Sequence, residues 1–176
     1  MDAAAIDRAL TRIVHQILER NRDLSRLGIV GMQTRGVTLA ERIVSRINKL
    51  EKTKLKAGIL DITLYRDDYR RALKQPAVRA TDIPFDLDGM NVVLVDDVLY
   101  TGRTIRAALD ELCDFGRPQS IQLAVLVDRG HREMPIHADY VGTEITTLPN
   151  HEVRVRMNEI DEEESVWLIE REPKGA

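Results

Sequence analysis

Cysteines, aromatic residues and long apolar runs are scarce in this chain. Cys113 is the single cysteine among 176 residues, which excludes an internal disulfide framework and predicts a protein of the reducing cytoplasm. No apolar run is long enough to span a bilayer, and the first residues lack the basic start and apolar stretch of a signal peptide. Aromatic residues make up 4% of the chain, so stacking on nucleic-acid bases has few side chains to use. We therefore expect a cytoplasmic protein without a membrane partner.

Apolar residues are plentiful enough for one core. They make up 43% of the chain, and its length predicts one domain over residues 1–176. Basic side chains outnumber acidic ones in residues 1–81, and acidic ones dominate the rest. This split is compatible with an anion-binding face on one half, although solvated helix faces of different sign explain it as well. The acidic run at residues 161–164 predicts a solvated turn.

Apolar periodicity predicts strands and helices that alternate along the chain. The predicted strands are residues 27–32, 58–65, 92–95 and 121–127, and the predicted helices begin near Ile6, Val37 and Thr104. This alternation predicts an α/β fold with a central, mostly parallel sheet covered by helices on both faces. Residues 66–84 are charged and lack a period, which predicts a lid loop. Shorter strand signals after Gly130 predict edge strands or a small C-terminal cap.

Two carboxylates and a turn suited to phosphate follow the third predicted strand. Asp96 and Asp97 come at its end, and Thr101-Gly102-Arg103-Thr104 opens the next helix. Carboxylates there can accept hydrogen bonds from two neighbouring ribose hydroxyls, while the turn offers N–H groups and hydroxyls at the positive end of a helix dipole. The predicted ribose-phosphate site comprises Asp96, Asp97, Val98, Leu99, Tyr100, Thr101, Gly102, Arg103 and Thr104.

Another loop of this kind, the first along the chain, follows the first predicted strand at residues 31–36. Its glycines allow the backbone to approach an anion closely, and Arg35 brings a planar fork of donors. By itself the segment is also compatible with an ordinary turn between a strand and a helix. Since residues 92–104 supply a matching loop at the next-but-one strand, we expect Thr34, Arg35 and Gly36 to contact a second phosphate group.

These two loops carry a family resemblance. Residues 92–104 resemble the signature of type I phosphoribosyltransferases for 5-phosphoribosyl-1-pyrophosphate (PRPP), two acidic residues followed by a Thr-Gly-x-Thr phosphate loop, and residues 31–36 resemble that family's pyrophosphate loop. The resemblance implies a type I phosphoribosyltransferase fold, PRPP as a substrate, and Mg²⁺ held at Asp96 and Asp97. It also implies Asp96, Asp97 and Arg35 as catalytic residues. The alternative is a strand end whose acids merely cap the next helix.

The predicted lid carries cations suited to a leaving pyrophosphate. In transfer from PRPP, the negative charge that builds on pyrophosphate must be neutralised and water must be kept out. Arg66 and Arg70 are available for the first task, and closure of residues 66–80 would serve the second. A solvated basic loop is the alternative.

Three further strings narrow the resemblance to one family. Residues 9–15, 61–68 and 126–135 resemble, almost word for word, the PyrR family of bifunctional pyrimidine operon regulators with uracil phosphoribosyltransferase activity. The resemblance implies conversion of uracil and PRPP to UMP and pyrophosphate, UMP-responsive binding of pyrimidine operon leader mRNA that attenuates transcription, and a homodimer or homotetramer. Two alternatives stay open: an enzyme of uracil salvage only, and a regulator that senses the nucleotide and binds RNA without turnover.

The resemblance also places the base. Asp128, Arg129, Gly130 and His131 follow the fourth predicted strand and are implied at the uracil end of the site. Backbone groups of this segment can read the O2, N3 and O4 edge of uracil. Arg129 and His131 are equally compatible with plain structural roles.

RNA binding is implied for one face of the first helix. Thr11, Arg12 and His15 match positions in the family's RNA-binding surface. Residues 143–152 depart from the family pattern, because they contain two glutamates and no lysine. Phosphate contacts supply much of the affinity for nucleic acid, so we expect weaker and less salt-dependent RNA binding than in relatives with lysines there.

Overall fold

Residues 1–62 and 81–170 are described by the computed structural model. Helices and strands follow one another along them in the predicted order. The helices are α1 (Ala3–Arg20), α2 (Arg35–Glu51), α3 (Arg103–Phe115) and α4 (Asn158–Asp161), with a 3₁₀ turn at Leu24–Arg26. The strands are β1 (Leu27–Met32), β2 (Ala57–Leu60), β3 (Asn91–Leu99), β4 (Ser120–Asp128), β5 (Tyr140–Glu144), β6 (His151–Arg156) and β7 (Ser165–Glu170).

Five strands form one parallel sheet in the order β2-β1-β3-β4-β5. The central strand β3 pairs with β1, where Val95 lies opposite Gly31, and with β4, where Leu99 lies opposite Asp128. The order of strands reverses between β1 and β3, so the loops that follow these two strands diverge and leave a crevice at the carboxyl edge. Both loops predicted from the sequence to contact phosphate groups lie at this crevice.

Helices cover both faces of this sheet. On one face α1 and α2 pack through residues such as Ile13 and Ile43, and on the other face α3 packs through Ile105 and Leu112. A strand buried on both sides is apolar throughout rather than at alternate positions, which accounts for the run at residues 92–95. These contacts confirm the predicted α/β fold.

Two strands differ by several residues from their predicted ends. β3 continues beyond Val95 to Leu99, so Asp96 and Asp97 lie within the strand rather than after it. The reason is its neighbour, because β4 still pairs with β3 at Leu99, opposite Asp128, whereas pairing with β1 ends at Val95. β2 ends at Leu60, earlier than the predicted strand at 58–65.

The last strands form an edge and a small cap, as predicted. β5 joins the edge of the parallel sheet, whereas β6 and β7 make a separate antiparallel pair joined through α4. The amino group of Met1 donates to the carbonyl of Val166 at 2.7 Å, and the N–H of Val166 donates to the carbonyl of Met1 at 2.9 Å. These bonds hold the cap against the start of α1. In the part of the chain that the structure describes, no helix has the length and apolar character needed to cross a membrane.

Candidate active site

Asp96 and Asp97 lie side by side near the end of β3. One oxygen of Asp96 accepts the N–H of Asp97 at 2.9 Å, and one oxygen of Asp97 accepts the N–H of Val98 at 2.8 Å. Burial raises the pKa of Asp97, and the positive charge of Arg35 opposes that rise. A partly buried carboxylate of this kind is stabilised when hydroxyl donors or a cation approach it. The pair is therefore suited to hold a polar ligand.

The first loop is pressed against the backbone of β3. A Cβ atom on Gly36 would lie 2.4 Å from the carbonyl oxygen of Val95 and 3.2 Å from the Cα of Asp96. Since a side chain does not fit there, glycine is what lets α2 begin in contact with the strand that carries the carboxylates. Arg35, the first residue of α2, is placed by this contact close enough for its charge to act on Asp97.

Three consecutive carbonyl groups of the second loop, residues 99–102, accept hydrogen bonds from residues 129–134. Leu99 accepts from the N–H of Arg129 (3.1 Å), Tyr100 from the guanidinium of Arg132 (2.8 Å), and Thr101 from the N–H groups of Glu133 (2.9 Å) and Met134 (3.0 Å). In a trans peptide the N–H points opposite to the carbonyl, so the N–H groups of residues 100–102 face away from that segment. Successive amides that point to one side form a nest for an anion.

Helix α3 starts directly after this loop. Gly102 precedes its first residue with φ +87°, a conformation that other residues rarely adopt, and a Cβ there would lie 3.1 Å from the Cβ of Met134. The first turn contains no acidic residue to neutralise the positive end of the helix dipole. Arg103 forms an exposed ion pair with Glu133, and Thr104 follows in the first turn. The helix start therefore adds to the anion-binding character of the second loop.

Asp128 and Arg132 brace the segment that follows β4. Asp128 accepts the N–H of Gly130 at 2.9 Å and forms an ion pair with Arg132, and the side chains of this pair are each 18% exposed. The same guanidinium donates to the carbonyl groups of Ile136 at 2.9 Å, Tyr100 at 2.8 Å and Gly130 at 3.2 Å. Arg132 therefore ties this segment to the second loop.

Arg129 is buried beneath Tyr100. The residue is 6% exposed, and its guanidinium carbon lies 4.0 Å from the centroid of the Tyr100 ring. Among the described residues its Nε and Nη2 have no hydrogen-bond partner, although buried polar groups normally have one. His131 is exposed, and its Nε2 lies 2.7 Å from the carbonyl oxygen of Thr147. The arginine thus supports the second loop from inside the protein.

Known proteins resemble this chain in both sequence and fold. The model of the phosphoribosyl transferase domain family matches residues 2–160. Curated relatives named "Bifunctional protein PyrR" are 56% identical over 170 residues in Pelotomaculum thermopropionicum, covering 97% of this chain and 94% of the relative, and 55% identical over 174 residues in Listeria monocytogenes serotype 4b, covering 97% and 95%. The chain belongs to the PyrR family of phosphoribosyltransferases.

Solved structures share the fold of this PyrR-family chain. A hypoxanthine phosphoribosyltransferase of Trypanosoma cruzi matches with a TM-score of 0.70 and 17% identity, covering 98% of this chain and 95% of that one. A hypoxanthine phosphoribosyltransferase of Staphylococcus aureus matches with a TM-score of 0.63 and 21% identity, covering 82% and 75%. At these identities the likeness shows the fold alone, and it confirms the predicted type I phosphoribosyltransferase fold.

Most residues predicted for the site of this PyrR-family chain meet at the carboxyl edge of the sheet. Gathered there are Thr34, Arg35, Gly36, Asp96, Asp97, Val98, Leu99, Tyr100, Thr101, Gly102, Arg103, Thr104, Asp128, Arg129, Gly130 and His131. Arg66 and Arg70 of the predicted lid lie outside the described residues. The predicted RNA-binding residues lie elsewhere, on α1.

The predicted RNA-binding face of α1 is exposed but partly engaged by neighbours. The hydroxyl of Thr11 donates to the carbonyl of Asp7 and accepts from Arg46, both at 2.9 Å. Arg12 donates to the carbonyl of Gly142 in β5. His15 is exposed one turn further along. The face is therefore held in place by α2 and β5.

The acidic run at residues 161–164 is an exposed turn only at Glu162, and the prediction of a solvated run is wrong for its other three carboxylates. The ion pairs that engage it are Asp161 with Arg35, Glu163 with Arg156, and Glu164 with Arg42. Two of these arginines belong to α2, which the C-terminal cap contacts through α4. Repulsion between neighbouring carboxylates, the basis of the prediction, is offset by cations that only the tertiary fold brings near. Asp161 is a residue of the site that no local sequence signal indicates.

Asp96 and Asp97 fit a Mg²⁺ ion that arrives with a phosphorylated substrate. Mg²⁺ is commonly bound by one or two carboxylates together with oxygen atoms of substrate phosphates. Adjacent carboxylates beside an anion-binding loop supply that donor set. Within residues 1–62 and 81–170, no group of three or more His, Cys, Asp or Glu side chains could hold a metal ion. We therefore expect the ion to need oxygen atoms from the substrate.

Proposed function

We propose that this chain is a Mg²⁺-dependent uracil phosphoribosyltransferase, which converts uracil and PRPP to UMP and pyrophosphate. One observation carries the proposal: the carboxylates of β3 and the amide-lined second loop lie in succession at the crevice, with Arg35 from the first loop beside them. PRPP joins ribose hydroxyls, a 5′-phosphate and a pyrophosphate in one molecule, so each of these three protein groups has a chemical partner on it. Membership of the PyrR family supports the same reaction.

The carboxylates and the second loop hold the two ends of the ribose phosphate. Asp96 and Asp97 accept hydrogen bonds from the ribose hydroxyls, which favours their charged form despite the burial of Asp97. The N–H groups of residues 100–102, the hydroxyls of Thr101 and Thr104 and the start of α3 bind the 5′-phosphate. Mg²⁺ bound at the carboxylates would neutralise negative charge on pyrophosphate. Fixing both ends of the sugar restricts the motion of C1 relative to the incoming base.

Arg35 and Thr34 then stabilise the departing pyrophosphate. The bond between C1 and the pyrophosphate oxygen breaks and its electron pair stays with pyrophosphate. N1 of uracil bonds to C1, and its proton leaves with the pyrophosphate. Positive charge that builds on the ribose is stabilised by the carboxylates nearby, and negative charge on pyrophosphate is stabilised by the guanidinium. Arg66 and Arg70 remain predicted partners of pyrophosphate in the lid.

The segment after β4 is our proposed uracil end. Gly130 and His131 both adopt positive φ, +72° and +56°, and Asp128 holds this turn through the N–H of Gly130. Such a turn presents backbone donors and acceptors close to Tyr100, where the edge of a base can be read. Arg129 contributes from below by supporting Tyr100.

Consumption of PRPP tests this function directly. The chain is incubated with PRPP and Mg²⁺ together with uracil, hypoxanthine, guanine or orotate, and pyrophosphate release is measured. We expect release with uracil above the other three bases, and nearly complete loss in a variant carrying Asp96→Asn and Asp97→Asn. Unchanged turnover in that double variant would remove the catalytic argument. Binding of PRPP or UMP without pyrophosphate release would favour the alternative of a non-catalytic nucleotide sensor.

A second function, UMP-responsive binding of pyrimidine operon leader mRNA, is favoured by family membership and by the exposed face of α1. Thr11, Arg12 and His15 are its proposed contacts. The segment 143–152 contains no lysine, so few phosphate contacts are available there and we expect a shallow dependence of affinity on salt. A leader stem-loop should bind more tightly when UMP is present. Affinity that ignores both UMP and the replacement of Thr11 and His15 by alanine would contradict this role.

Assembly and location follow from the same proposal. We expect a homodimer or homotetramer in the cytoplasm, as the resemblance to the PyrR family implies. Light scattering at several protein concentrations distinguishes these forms from a monomer.

A further inference from the structure

One edge of the Arg35 guanidinium is hydrogen-bonded to the carboxylate of Asp161, a residue of the C-terminal cap. Its Nε donates to one oxygen of Asp161 at 3.2 Å and its Nη2 donates to the other at 2.7 Å. This two-bond arrangement fixes the plane of a guanidinium as well as its position. The side chains are 31% and 19% exposed, so the pair is partly shielded from solvent.

Asp161 is itself held in place. It ends α4, and the oxygen that accepts Nε of Arg35 also accepts the N–H of Met157 at 2.9 Å. Hydrogen bonds from Arg35 and from the Met157 N–H lower the pKa of Asp161, so it stays charged at neutral pH. A free arginine samples many rotamers, and a fixed anchor removes that freedom before a ligand binds.

The opposite edge of the guanidinium is left for a ligand. Asp161 engages Nε and Nη2, and among the described residues Nη1 has no hydrogen-bond partner. The next residue, Gly36, lies against the backbone of Val95 and Asp96 in β3, so Arg35 stands where the cap meets the carboxyl edge of the sheet. Arg35 therefore bridges the cap and the crevice.

We propose that Asp161 is a positioning residue for the transferase reaction: it aims Arg35 so that Nη1 meets the pyrophosphate group. This inference rests on the proposed function, in which Arg35 binds pyrophosphate. Asp161 neutralises part of the charge of Arg35, which opposes binding of an anion. Because Asp161 accepts from Nε and Nη2 and leaves Nη1 for the anion, we expect the gain in orientation to outweigh that loss.

Glu159 offers a matched control within the same helix. It lies in α4 and pairs with Arg42 of α2 through Nη2 at 2.6 Å, as Asp161 pairs with Arg35. Both carboxylates therefore help to dock the cap on α2, but Arg42 lies about two turns further along that helix and away from the crevice. Glu159→Gln weakens docking alone, whereas Asp161→Asn weakens docking and frees Arg35.

Binding of magnesium pyrophosphate by calorimetry tests the proposal without uracil or turnover, so its result is independent of whether uracil is the substrate. We expect Kd to rise about ten-fold in Asp161→Asn and by less than about two-fold in Glu159→Gln, because lost orientation of a long side chain has an effect of that order. In the steady state, KM for PRPP should rise in Asp161→Asn while KM for uracil stays unchanged. Asp161→Glu should restore part of the affinity.

A double-mutant cycle with Arg35→Lys completes the test. If Asp161 acts through the guanidinium, Asp161→Asn should have little further effect on pyrophosphate affinity once lysine replaces Arg35. Unchanged binding of pyrophosphate in Asp161→Asn would overturn the proposal. Tighter binding would overturn it as well, because it would mean that Asp161 competes with pyrophosphate for Arg35. Equal losses in Asp161→Asn and Glu159→Gln would also overturn it, since docking of the cap would then explain both. If Asp161→Asn does not fold, the comparison of Asp161→Glu with Glu159→Asp decides in the same way.

Discussion

Replacing Arg129 by methionine should make the protein more stable and less active. The residue is 6% exposed, and its Nε and Nη2 have no hydrogen-bond partners among the described residues. Each buried donor left unsatisfied costs about 1–3 kcal/mol, whereas stacking on Tyr100 returns about 0.5–2 kcal/mol. Methionine fills a similar volume without donors. We expect a net gain of about 2 kcal/mol, which corresponds to a rise in Tm of roughly 4–8 °C for a chain of this size.

Arg132→Met is the matched comparison in the same segment. The guanidinium of Arg132 donates to three carbonyl groups and pairs with Asp128, so its removal should not raise the free energy of unfolding. Breaking a buried ion pair costs about 3–5 kcal/mol, and the 18% exposure of each side chain puts this pair at the lower end. Two arginines three residues apart should therefore change stability in opposite directions.

Urea unfolding and pyrophosphate release measure the two effects. Arg129→Met should unfold at a higher urea concentration with an unchanged slope, while the rate of UMP formation falls because Tyr100 loses its support. A loss of stability above about 1 kcal/mol in Arg129→Met would refute the reasoning, since it would mean that the buried donors are satisfied in solution.

Three further substitutions change residues that are buried or partly buried: Gly36, Asp97 and Glu111. Gly36→Ala should lower stability by about 1–3 kcal/mol and raise KM for PRPP, because its Cβ would lie 2.4 Å from the carbonyl oxygen of Val95. If this variant were as stable in urea as the wild-type protein, the close packing at Gly36 would be contradicted. Asp97→Asn should abolish turnover yet raise stability at pH 7. Burial raises the pKa of Asp97 in the folded protein, so the wild-type protein loses stability as the pH rises above about 4, the pKa of an aspartate in the unfolded chain. Glu111→Gln should give the same pH-dependent gain with turnover unchanged, because burial first, and the charges of Asp61 and Asp114 next, raise the pKa of Glu111. For both acids the gain should vanish near pH 3, and a gain that persists there would refute the explanation by charge.

These predictions separate two uses of buried polar groups in this protein. Asp97 and Arg129 lie at the crevice, where an unfavourable charge or an unsatisfied donor is tolerated beside a ligand site. Glu111 lies on α3, where its Oε1 accepts from the hydroxyl of Thr81 at 2.6 Å and its Oε2 has no partner among the described residues. A polar group that serves the crevice should give higher stability and lower turnover when it is replaced. A polar group outside the crevice, such as Glu111, should give higher stability with unchanged turnover.

The sequence alone was sufficient for the fold class and for the two loops that define the crevice. Apolar runs such as residues 92–95 reveal strands buried on both faces, and Thr101-Gly102-Arg103-Thr104 reveals the start of a helix, because periodicity and turn chemistry are local properties. The acidic pair could be placed at the end of β3 for the same reason. The sequence could not show that this pair lies within the strand, because the end of β3 depends on how far β4 pairs with it.

Tertiary structure decided which charges meet. Asp161 and Arg35 are separated by 126 residues, and their pairing depends on α4 folding back onto α2. The burial of Arg129 beneath Tyr100 likewise depends on how the segment after β4 crosses the second loop. Hydrogen bonds and ion pairs between distant segments leave no periodic trace along a chain, because each needs only one residue at each end. Sequence therefore determined which two loops meet at the carboxyl edge of the sheet, and the packing of the last quarter of the chain decided which side chains lie against them.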